Sequence, residues 1–185
     1  MLELFSVPIH SKKLNLDTKK IIEYCLLIKN TTKSVDMTNK GGWQSPALVG
    51  ENVVLNDLFS KILESAEKYR KVIAYKHPLK LINLWINVNN HKDYNVEHSH
   101  HHCAVSGVYY LTSNNSNIVF AHPAAQIMGY DWNSYVIDKY NKHNSATWSI
   151  TPSQNELLLF PSWLNHRVEP NLSEENRISI SFNLR

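Results

Sequence analysis

The chain has 185 residues, 43% of them hydrophobic and 19% charged, the make-up of one globular domain that can bury a core without disulfide staples. Nineteen basic against sixteen acidic residues leave a net charge of only +3, too weak for the clustered basic stripe of a nucleic-acid binder. Cys25 and Cys103 make no disulfide framework, the opening MLELFSVPIHSKK carries no basic-then-apolar leader, and no apolar run reaches the ~20 residues of a membrane helix. We therefore expect a cytoplasmic protein with no membrane partner.

In chain order, the first third reads as helical. Asp17 and Thr18 offer a cap ahead of a stripe of Ile21, Ile22, Cys25, Leu26 and Ile28. A second helix is predicted from Leu55 to Ile73, with Leu58, Ile62, Leu63, Ala66 and Tyr69 at helical spacing and Asn56 or Asp57 as its cap. Thr38 to Pro46, with Gly41 and Gly42 side by side, reads as a loop presenting an exposed Trp43, either at a substrate or as a plain turn. From residue 80 the period becomes two. Leu84, Ile86 and Val88 alternate with Trp85, Asn87 and Asn89; strands follow over 105–111, 117–120 and 156–160. Residues 132–151 read as a loop and one strand over 146–150. The clearest strand is the last, where Ile178, Ile180, Phe182 and Leu184 alternate with Arg177, Ser179, Ser181 and Asn183. The expected fold is α+β, mainly β: one domain over 1–185, a helical part over 1–78 packed on an antiparallel sandwich or barrel over 79–185.

The unusual residue is histidine. There are ten, five of them between His91 and His102. In an extended strand His98 and His100 share a face, with His102 beside them if the strand continues. Neutral imidazole is a common metal ligand, and His166, after the strand ending at Pro161, is the candidate third ligand. A solvated, histidine-rich loop and a structural His166 are the plainer alternatives. Eleven residues after His166, Arg177 and Ser179 stand on the polar face of the last strand. If that face lines a barrel, a buried Arg needs a carboxylate or phosphate to grip. No acidic residue occupies an obvious facing position, so an anionic ligand is expected, an unlocated Asp or Glu being the other partner open to it.

A His motif, a distant second His and an Arg-x-Ser about ten residues later resemble the layout of the 2-oxoglutarate- and iron(II)-dependent oxygenases. Val108-Tyr109-Tyr110-Leu111 resembles the Tyr-Tyr-Leu strand of prolyl-hydroxylase-type members, and Leu159 to His166 the strand leading to the distal ligand. Asn39 to Ser45, Trp85 to Val88, Ser106 to Leu111 and Arg177 to Asn183 together are similar to a group of such oxygenases common in bacteriophages and marine bacteria. The resemblance implies a double-stranded β-helix (a jelly-roll or cupin-like barrel) preceded by N-terminal helices, with Fe(II) on His98, His100 and His166. It places 2-oxoglutarate against Arg177, Ser179 and Tyr110, with Asn87 a weaker contact. It implies a dioxygenase that hydroxylates a substrate and releases succinate and carbon dioxide, with no further catalytic side chain. If the chain is phage-encoded, the host cytoplasm is its place.

One departure stands out. The usual triad is two His and a carboxylate, yet no Asp or Glu lies two residues after His98, His100, His101 or His102. Glu97 points to the other face. The competing ligand set has His102 in place of His100. Two rival functions remain open, a three-His cupin-like dioxygenase that needs no 2-oxoglutarate and a non-catalytic metal- or carboxylate-binding barrel. A protein side chain or small metabolite is favoured as substrate over nucleic acid, and a homodimer is left open. Trp85 and Trp163 are expected to pack in the barrel, Cys103 to be a small buried residue and His122 to lie outside the metal shell.

Overall fold

The computed structural model describes residues 2–48, 52–113 and 115–185. Strand β1 (His10–Lys13) precedes helix α1 (Thr18–Thr31), short strands β2 (Asn39–Lys40) and β3 (Trp43–Gln44), and helix α2 (Asn56–Val72). Then come β4 (Leu81–Asn89), β5 (Tyr94–His98), β6 (Val105–Tyr110), β7 (Ile118–Ala121), helix α3 (Ala125–Asp131), β8 (Thr147–Ile150), β9 (Glu156–Pro161), β10 (His166–Val168) and β11 (Arg177–Leu184). The strands form two antiparallel sheets, β1-β9-β6-β11-β4-β3 and β2-β5-β10-β7-β8. They face one another across a shared apolar seam of Val108, Tyr110, Leu158 and Phe160 against Ile118 and Phe120. This is the double-stranded β-helix, and the mainly-β reading of the sequence holds.

The period-two pattern sorts the central strands into two faces. Ile178, Ile180 and Phe182 of β11 lie opposite Val88, Ile86 and Leu84 of β4, and these six join one buried core with Ile21 and Cys25 of α1 and Leu58, Ile62 and Tyr69 of α2. Removing such side chains from water is the main favourable term in folding. The opposite face is polar and turns into the space between the sheets. There Ser179 lies opposite Asn87 and Tyr110, Ser181 opposite Trp85 and Val108, and Asn183 opposite Asn83 and Ser106.

Gly107 shows how tightly the helix-side layer packs. A Cβ there would lie 2.3 Å from Phe182 Cζ and 2.7 Å from Leu159 Cδ2. We expect Gly107→Ala to destabilise the protein by about 1–3 kcal/mol through overpacking, read as a lower midpoint in urea with an unchanged slope.

Several expectations need correction. Residues 38–46 are not a plain loop: β2 and β3 flank the Gly41-Gly42 turn, and Gly41 has φ +78 with a would-be Cβ only 2.1 Å from Asp93 Oδ1. Trp43 is half-buried against the core, its Nε1 donating to the Thr32 carbonyl at 3.3 Å. Neither Asn56 nor Asp57 caps α2. Leu55 holds that position without a side-chain bond, while the Asn52 carboxamide oxygen takes the amides of Val54 and Leu55 at 3.0 and 3.3 Å. Strands β1 and β10 and helix α3 lay outside the predicted elements. β1 and β10 are only four and three residues long, and α3 buries no residue, so it has no apolar stripe to read. Among the described residues, no helix is long and apolar enough to cross a membrane.

Candidate metal and carboxylate site

The imidazoles of His98, His100 and His166 offer nitrogens that all lie within 4.8 Å of one another. Strand pairing accounts for two of them: His98 ends β5 directly opposite His166 of β10. Their neighbours Glu97 and Arg167 turn outward and meet at 3.6 Å. His100 arrives differently from the continuous strand expected. β5 stops at His98, and the His100 amide donates to the Ser162 carbonyl at 2.8 Å, tying this turn to the end of β9. His102 takes a left-handed φ of +63 and is exposed, so it and His101 lie outside the cluster. His122, in the turn after β7, also lies outside, accepting the Ala124 amide on Nδ1.

The donor set suits a divalent metal. Nδ1 of His98 and of His166 lies 2.8 and 2.9 Å from the carbonyls of Val96 and Leu164. As donors there, these nitrogens leave each Nε2 with its lone pair free, the usual state of a ligating histidine. Burial holds all three rings below their usual pKa, aided by neighbouring imidazoles for two of them. His98 is lowered, His100 falls to about 4 and His166 to about 3. All three are therefore neutral at pH 7, as metal binding requires.

A stability consequence follows. Unfolded histidines take up protons near pH 6.5, while these buried rings resist protonation until about pH 4 and 3. Stability of the metal-free protein is thus fully present above pH 6.5 and falls as the pH drops through 4. Urea denaturation between pH 7 and pH 4 should show that decline, and His166→Gln should make it shallower.

Arg177 lies buried, 3% exposed, at the start of β11. Its Nη1 donates to Ser116 Oγ and to the Glu169 carbonyl. No ion pair to it is found among the described residues; burial pulls its pKa down, partly offset by Tyr110 and the field of Asp93. The hydroxyls of Ser179 and Tyr110, side by side one rung along, are buried too, and burial pushes the Tyr110 phenol well above its usual range. Asn87 completes that rung and donates its amide to Ser181 Oγ at 3.0 Å.

All seven of these residues line one cavity of about 390 Å³ between the sheets. The structure therefore gathers every site residue named from the sequence. It also corrects three side roles. Trp85 is not simple packing: it lines the cavity, its ring 5.7 Å from that of His100. Trp163 is 55% exposed, and Cys103 is only half-buried. The sequence reading passed over a His-x-acid pair, His91-x-Asp93. It sits away from the cluster, with Asp93 Oδ2 taking the Asn90 amide at 2.7 Å and His91 beside Glu174. Gln44 was missed as well. It continues the Asn87 rung on β3 and lines the cavity, and a two-residue strand has no period to reveal it.

Known structures share this fold. A Pseudomonas putida prolyl-4-hydroxylase superposes with a TM-score of 0.68 at 11% identity, covering 98% of this chain and 94% of its own. HygX from Streptomyces hygroscopicus, solved with nickel and 2-oxoglutarate bound, gives 0.64 at 12% identity, with 96% and 82% covered. SnoN, a non-heme α-ketoglutarate-dependent epimerase from nogalamycin biosynthesis, gives 0.65 at 15%, with 96% and 77% covered. A search of the curated proteins returns no match. Residues 83–183 match the family model described as "Putative 2OG-Fe(II) oxygenase". That span is more than half of the chain and runs from β4 to β11. The chain belongs to the 2OG-Fe(II) oxygenase family, whose cofactors are Fe(II) and 2-oxoglutarate.

Proposed function

We propose that the protein is a 2-oxoglutarate- and Fe(II)-dependent dioxygenase that hydroxylates its substrate with release of succinate and carbon dioxide. His98, His100 and His166 hold the metal through Nε2 of His98 and His166 and one ring nitrogen of His100. Arg177 grips the distal carboxylate of 2-oxoglutarate in a charge-assisted pair, with the hydroxyls of Ser179 and Tyr110 as added donors. Asn87 steadies that rung through Ser181. When bound, Fe(II) and 2-oxoglutarate supply the oxidative chemistry, and the side chains orient them and keep water out. Arg177 enters this arrangement already oriented, because Ser116 and the Glu169 carbonyl hold one of its nitrogens. Three neutral imidazoles leave the full charge of the metal, which the dianionic co-substrate balances.

The observation that carries the proposal is a buried guanidinium, with no ion pair to it among the described residues, opening into the same cavity as three neutral imidazoles. A buried charge of this kind needs a counter-charge, and a dicarboxylate that also chelates metal meets both demands. The test is anaerobic titration of the Fe(II) protein with 2-oxoglutarate, with apo and zinc forms as controls. A visible metal-to-ligand charge-transfer band that saturates with 2-oxoglutarate is expected. Metal bound without such a band would reject the proposal and favour a three-His site working without 2-oxoglutarate.

A further inference from the structure

The inner face of the larger sheet is graded along the barrel. Arg177 stands at one end of β11 and Asn183 at the other, six residues on, a span of about 20 Å at the usual rise per strand residue. The imidazole cluster lies between them, since His100 packs against Trp85 and Trp85 pairs with Ser181. The rung beyond the cluster, away from Arg177, is Asn83–Asn183–Ser106. Both asparagines line the cavity.

These carboxamides have unused hydrogen-bonding capacity. Ser106 Oγ donates to Asn183 Oδ1 at 2.7 Å, which fixes that amide with its NH₂ unspent among the described residues. Asn83 Oδ1 is buried with no partner, a state that costs about 1–3 kcal/mol unless something meets it. The terminal torsion of asparagine is broad, so Asn83 can turn either edge of its amide toward a ligand. Val35, Met37, Pro46 and Ala47 add apolar surface to the cavity wall. Among the described residues no carboxylate and no lysine lines the cavity, whose ionisable groups are Arg177, the neutral imidazoles and the Tyr110 phenol.

We propose that this rung selects the substrate, admitting an uncharged amide group whose carbonyl accepts from Asn183 and whose N–H or carbonyl pairs with Asn83. The inference rests on the oxygenase reading above, which assigns the Arg177 end to the co-substrate and so leaves this end to the substrate. A charged group would lose its water here and find no counter-charge, a heavy cost in a buried wall. An amide loses far less and regains its hydrogen bonds, the condition under which a polar site discriminates well.

The test is saturation-transfer NMR on the zinc- and 2-oxoglutarate-loaded protein with N-methylacetamide, acetate and methylammonium as separate probes. N-methylacetamide alone should receive saturation. Asn183→Asp, which keeps the oxygen that Ser106 binds, should cut its signal about fivefold, the loss of one neutral hydrogen bond, and should bring up methylammonium. Asn83→Leu should cut the N-methylacetamide signal to a similar degree. Acetate or methylammonium matching N-methylacetamide in the parent protein, no signal from any probe, or an unchanged amide signal in both variants would overturn the proposal. The signal of 2-oxoglutarate itself separates the two readings. If it persists while the amide test fails, only the selection rung is wrong; if it is absent while the amide behaves as expected, the co-substrate assignment is wrong.

Discussion

Replacing Arg177 with leucine should weaken 2-oxoglutarate binding by about 100-fold or more while Fe(II) affinity stays within a few-fold. The size follows from the loss of a buried charge pair, about 3–5 kcal/mol, at 1.4 kcal/mol per factor of ten. Arg177 is 3% exposed, so little water is on hand to replace it. Leucine also takes from Ser116 Oγ the N–H it accepts, while the Glu169 carbonyl keeps the Ser116 hydroxyl at 2.8 Å, and some loss of stability will accompany the change. Arg177→Lys serves as the control, since it keeps the charge while giving up the planar fork. It should bind 2-oxoglutarate at an intermediate level. The separation of metal and co-substrate effects is the informative part, because two of the three imidazoles, those of His98 and His166, are carried by the other sheet. Isothermal titration with each ligand measures both. Undiminished 2-oxoglutarate affinity in the leucine variant would remove Arg177 from the site.

His166→Ala should lower Fe(II) affinity by more than ~100-fold, whereas His101→Ala should change it by less than about threefold. Loss of even an outer-shell partner to a ligand commonly costs 10- to 100-fold, so a direct ligand must cost more. His166 is buried, and its Nδ1 is held by the Leu164 carbonyl at 2.9 Å. That bond fixes the ring before metal arrives. His101 is exposed, its ring centroid 6.5 Å from that of His102. His102→Ala should behave like His101→Ala and His100→Ala like His166→Ala, which decides the competing ligand set. Competition with a chromogenic chelator under anaerobic conditions gives the constants. Equal losses at His101 and His166 would mean the ligands are misassigned.

Much of the architecture was legible because the long strands alternate cleanly. β4 and β11 have eight or more residues each, enough for period two to mark a core face and a cavity face. That pattern also put Arg177, Ser179 and Asn87 on one side before any pairing was known. Short elements gave no such signal. β10 holds His166 in a three-residue strand, too short for periodicity to show that it pairs with the strand of His98. The Gly41-Gly42 pair looked like an open loop because glycine signals a turn without saying what crowds it. In the fold the turn is pressed against Asp93 and Asn89.

The sequence by itself determined the residue types and spacings. Alternating strands pointed to a β core, clustered histidines to metal ligands, and the Arg-x-Ser pair on a polar face to an anionic ligand or an unlocated acid. These follow from local chemistry, since a residue's charge, size and place in a two- or 3.6-residue period are set by its near neighbours. The tertiary structure decided convergence. It chose His100 over His102 through the bond of the His100 amide to Ser162 and the left-handed turn at His102. It turned Trp85 from packing into cavity wall, and it opposed Asn83 to Asn183 across paired strands. Such choices depend on register between strands far apart in sequence, where a slip of one residue would send every side chain to the other face.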